Sequence, residues 1–179
     1  MMKIKFPVDP SEYVFKEKKF LNESMKIDTN RNFKIKFLGG YTQNTTKSWL
    51  EIFLRNNKIL PQIEESSWGP FYQFLMDPDA LKDTPEMVIM FILPQDFYSS
   101  SRNSNPISEI NLIKNNIKKF IKKCQDKNIH VTISMLDADF INFPSSDLPS
   151  FVELSIEINS FLLELSKKNK NVRLFSIVN

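Results

Sequence analysis

Apolar positions in this chain follow two rhythms that alternate along most of its length. Short runs at 33–38, 59–63, 87–93, 129–136 and 172–178 are dense in Phe, Ile, Val, Leu and Met. Run lengths of five to eight with β-branched and aromatic enrichment predict five strands. The run at 33–38 alternates Phe33, Ile35 and Phe37 with Lys34 and Lys36, whereas 87–93 is apolar throughout. The second pattern suits a central strand covered on both faces.

Between the runs, apolar residues recur every three or four positions and predict helices at 46–57, 70–76, 107–126 and 150–169. Helix-start chemistry is present at each of the longer ones. Ser48 with Glu51, and Ser150 with Glu153, have capping-box spacing, and Asn105 before Pro106 pairs a good N-cap with a residue suited to the first helical position. Strands alternating with helices argue for βαβ units around a parallel sheet. With right-handed crossovers, the expected architecture is a three-layer, doubly wound α/β fold with five parallel strands in the flavodoxin-like order 2-1-3-4-5. Residues 1–32, lysine-rich with scattered aromatics, are expected to form an N-terminal arm holding at most one short helix, leaving 33–179 as the α/β domain.

Composition adds limits rather than a partner. The chain has 179 residues, enough for one sizeable core, and 24 basic against 21 acidic side chains give a net charge of only +3. No strong field favours nucleic acid or an anionic membrane. Residues 1–7 lack the apolar run of a signal peptide, and no stretch reaches the length of a membrane span, so the expectation is a cytoplasmic protein. Cys124 is the only cysteine and falls on the apolar stripe of Ile110, Ile113, Ile117, Phe120 and Ile121, which predicts a buried, inert thiol. With one cysteine and one histidine, a zinc site of the usual nitrogen and sulfur ligands is excluded, and neither a metal nor another cofactor is expected. Lys114, Lys118, Lys119, Lys122 and Lys123 lie opposite that stripe and are expected to form a solvated face.

Candidate chemistry follows the glycines. Three are present where average usage of about 7 % would give roughly twelve. Gly39 and Gly40 end the first strand run in Leu38-Gly39-Gly40-Tyr41-Thr42, and Gly69 follows the second in Trp68-Gly69-Pro70-Phe71-Tyr72. A chain this sparing with glycine is expected to keep it where backbone takes positive φ or approaches a ligand, and the carboxyl ends of strands are where open α/β sheets bind ligands. Asp96 after the third run, and Asp137 and Asp139 after the fourth, add carboxylates to that edge, either as bases or as plain loop and capping residues. His130 begins the fourth strand run, at the opposite edge.

The segments Leu38-Gly39-Gly40-Tyr41-Thr42, Trp68-Gly69-Pro70-Phe71-Tyr72-Gln73, Leu75-Met76-Asp77-Pro78 and Thr84-Pro85-Glu86-Met87-Val88 together resemble the N-terminal, SGNH-hydrolase-like domain of FkbH-like proteins of the HAD-IIIC type. The resemblance covers about residues 33–93 in motifs and the remainder in element order. It implies a haloacid-dehalogenase-like domain downstream, absent from these 179 residues. It also implies a role in acyl or glyceryl transfer to an acyl carrier protein in polyketide biosynthesis, or in polysaccharide biosynthesis. The SGNH nucleophile, a serine after the first strand, is Gly40 here. Glycine has no side chain for a base to deprotonate, so the ordinary Ser-His-Asp mechanism is lost. The expected function is therefore a docking or recognition module that binds a carrier protein or a small acyl, glyceryl or sugar ligand through Gly39, Gly40, Tyr41, Asn44, Trp68, Gly69 and Gln73. The alternatives are an acyltransferase or esterase using Thr42 with Asp96 and a site completed by a missing segment, and a purely structural domain.

Overall fold

The computed structural model describes residues 10–39, 44–65, 71–77, 79–92, 106–136 and 151–176. The elements run α1 (Pro10–Ser24), β1 (Arg31–Leu38), α2 (Asn44–Asn56), β2 (Ile59–Glu65), α3 (Phe71–Met76), β3 (Met87–Met90), α4 (Pro106–Asp126), β4 (His130–Ser134), α5 (Phe151–Lys168) and β5 (Val172–Phe175). The five strands form one sheet in the order β2-β1-β3-β4-β5, so the doubly wound α/β architecture and its strand order hold. Parallel pairing sets Met87 opposite His130 and Met90 opposite Ile133, then Val131 opposite Val172 and Ser134 opposite Phe175.

Compactness divides the chain into two units, residues 1–35 with 41–64, and residues 36–40 with 65–179. In the first, α1 packs on α2 through Phe20, Trp49 and Ile52, with Leu21 against them and the Phe20 and Trp49 rings edge to face at 5.8 Å. The helix in the expected arm is thus 15 residues long. Ser48 does not start α2, which begins at Asn44. Glu51 pairs with Arg55 one turn on, at 2.8 Å, an i,i+4 pair whose arginine lies in the last turn of α2.

In the second unit, Val88, Met90 and Ile92 of β3 and its exit, with Val131 and Ile133 of β4, are buried against the apolar stripe of α4. Ile110, Ile113, Ile117, Phe120, Ile121 and Cys124 of that stripe all enter this core, as their helical spacing predicts. Leu162 and Leu165 of α5 and Phe74 and Leu75 of α3 complete it. The helix starts at Pro106 and Phe151 fall where Asn105-Pro106 and Ser150-Glu153 place them. The lysine face of α4 is not uniformly solvated. Lys114 forms an ion pair with Glu157 of α5, and Lys114 and Lys118 lie over the Phe161 ring at 5.8 and 5.5 Å, so their charge holds α5 on α4.

Helix ends without glycine are the fold's local oddity. Positive φ occurs among the described residues at Lys58, Thr84 and Asn128, and at no described glycine. Asn128 ends α4 in a Schellman arrangement: its N–H donates to Gln125 O at 3.0 Å and the Ile129 N–H to Cys124 O at 2.8 Å, with Ile129 and Cys124 both buried. Lys58 ends α2 similarly, its N–H reaching Arg55 O at 2.8 Å. A Cβ is penalised in this region, most for residues other than Asn and Asp. Lys58→Gly is therefore expected to raise the unfolding free energy by about 0.5–1 kcal/mol and Asn128→Gly by less, read from urea denaturation midpoints.

Burial also pushes the Cys124 thiol up, from 9.0 to about 12, against the smaller lowering effect of Lys123 and Lys127. The unfolded thiol ionises first, so its contribution to stability is whole below its unfolded pKa of 9.0 and is lost as pH climbs toward about 12. Comparing the pH dependence of unfolding in the native chain and in Cys124→Ala should show this extra alkaline loss only in the former. Iodoacetamide should modify Cys124 only after the chain is denatured.

Candidate functional site

Parallel pairing puts the exits of β3, β4 and β5 on one edge of the second unit, and its chain direction is fixed there by side-chain clasps. Leu38 C=O, at the end of β1, accepts the Phe91 N–H at 2.9 Å. The Ser134 hydroxyl, fully buried at the end of β4, accepts the Ile92 N–H at 2.8 Å and lies 3.4 Å from Ile92 O, to which it donates. One side chain thus ties the exit of β3 to that of β4. Asn159, projecting from α5, accepts the Leu136 N–H at 2.9 Å and donates to Leu136 O at 2.8 Å. The Met135 N–H bonds to Phe175 O at 2.8 Å.

An aromatic row runs across the strands beneath this edge. Phe37 and Phe91 stack at 5.7 Å, and Phe91 meets Phe175 edge to face at 5.3 Å. Together the row and the clasps tie these strand exits to one another, and strand exits are the usual setting for a ligand site in an open α/β sheet.

Gly39 is half-buried at the exit of β1 and its φ is not positive. Glycine there is not required by a left-handed turn, so the positive-φ expectation fails at this position. Asn44 is the first residue of α2, and Gln73 lies within α3. The side chains of these two lie outside the described residues, as do Gly40, Tyr41, Thr42, Trp68, Gly69, Asp96, Asp137 and Asp139. His130 is exposed at the first position of β4, its N–H bonded to Glu86 O at 3.0 Å. It stands at the amino edge of the parallel strands, a strand length from the exits, as the sequence predicts.

Asp77, part of one of the family-like segments, has a local structural task. Its Oδ1 accepts the Asp79 N–H at 2.8 Å, closing a turn after α3 that delivers Ala80 and Leu81 into the core. Ser134 and Asn159 were not anticipated from sequence. Their signal is a polar residue inside an otherwise core-facing run, Ser134 after Val131 and Ile133, and Asn159 beside Ile158 and Leu162.

No protein-family model matches the chain, and neither does any curated protein sequence. Solved structures do. The N-terminal part of protein BF1531 from Bacteroides fragilis, which contains a phosphatase domain and was crystallised with Mg, aligns over 92% of this chain with a TM-score of 0.66 and 12% identity. The chain spans 45% of that structure's length. The psychrotrophic esterase EstA from Pseudoalteromonas sp., in a structure inhibited by monoethylphosphonate, aligns over 80% of this chain and 76% of its own, with a TM-score of 0.52 and 18% identity. A G-D-S-L family protein from Desulfitobacterium hafniense aligns over 81% of this chain and 77% of its own at a TM-score of 0.49 and 19% identity. The chain shares its α/β fold with the BF1531 part and with EstA. At these identities the likeness concerns the fold alone. No described helix is long and apolar enough to cross a membrane.

The clasps generate a stability prediction. Asn159→Leu leaves the Leu136 N–H and C=O without their partner, and Ser134→Ala does the same to the backbone of Ile92. Each should lower the unfolding free energy by about 1–3 kcal/mol. Urea denaturation of the two variants checks this.

Proposed function

We propose that this chain is the N-terminal docking domain of an FkbH-like protein. In this reading it holds a carrier protein, or the acyl, glyceryl or sugar group to be transferred, beside a haloacid-dehalogenase-like domain that follows it. The observation that carries the reading is the alignment with nearly half of a longer structure that contains a phosphatase domain. It gains support from the segments around Gly39, Trp68 and Asp77, which resemble that family, and from Gly40, which stands where the SGNH nucleophile would be. An SGNH-like scaffold without its serine keeps the strand-exit edge and loses the covalent step. What remains is recognition, and the sequence offers Tyr41, Thr42, Trp68 and Gln73 as residue types with aromatic faces and hydrogen-bonding groups suited to it.

The likeness to EstA favours a second reading, an esterase or acyltransferase with Thr42 as nucleophile and Asp96 as its base. The two readings separate by experiment. Native mass spectrometry of the chain with a panel of holo acyl carrier proteins, unloaded and glyceryl-loaded, should show a specific complex that is weakened by Tyr41→Ala, Thr42→Ala or Trp68→Ala. A fluorophosphonate probe should leave Thr42 unlabelled. Absence of a complex with every carrier removes that partner class, and covalent labelling of Thr42 replaces the docking reading with the catalytic one.

A further inference from the structure

We draw no further inference here: the strongest candidate, the surface patch of exposed lysines Lys118, Lys119, Lys122 and Lys123 on the outer face of α4, is the charged face opposite that helix's buried stripe, and nothing in the structure shows what covers it.

Discussion

Everything in the larger unit depends on the parallel pairing of β3 with β4 inside a core that water does not reach. Val88, Ile89 and Met90 of β3 and Val131 and Ile133 of β4 are all buried, as expected of central strands covered on both faces. Parallel neighbours cannot be joined by a tight hairpin. The chain must cross over, and α4 is that crossover, its apolar stripe covering the strands it connects. The same requirement brings successive strand exits to one edge, so the location of the candidate site follows from the way the core is covered.

The fold was legible in the sequence because each element carried a redundant signal. The run at 87–93 joined length to unbroken apolarity, and the stripe from Ile110 to Cys124 and the helix starts at Pro106 and Phe151 joined a helical period to a capping cue. Errors arose where one cue stood alone. Ser48 and Glu51 had the right spacing for a cap, but the helix began four residues earlier and their register placed Glu51 against Arg55. Lys114 read as solvated by its position on the wheel, yet long lysine stems bend toward neighbours, and Glu157 and Phe161 were within reach. Glycine scarcity was informative in an unexpected sense: helix ends that ordinarily take glycine carry Lys58 and Asn128.

The candidate site was legible only in outline. The strand-exit edge follows from topology, and Gly39 lies on it. The residues that organise the edge, Ser134 and Asn159, could not be found by motif, because their role is to satisfy backbone groups that only the folded exits leave without strand partners. Asp77 shows the converse: a residue within a family-like segment holds a turn, and its place there needs no ligand to explain it. Resemblance of motifs therefore mixes residues that build the scaffold with residues that meet a substrate, and hydrogen-bond partners are what tell them apart.

The Asn159 clasp has an evolutionary consequence. By bonding both backbone groups of Leu136, it joins the exit of β4 to α5 independently of residues 137–150. The ends of that connection are held by the folded scaffold, so lengthening it costs only the slow logarithmic growth of loop-closure entropy, about 0.6 kcal/mol per doubling. A sheet edge equipped in this way can exchange one connecting sequence for another while the strands below keep their register, which is the freedom a scaffold needs to acquire new ligands without refolding.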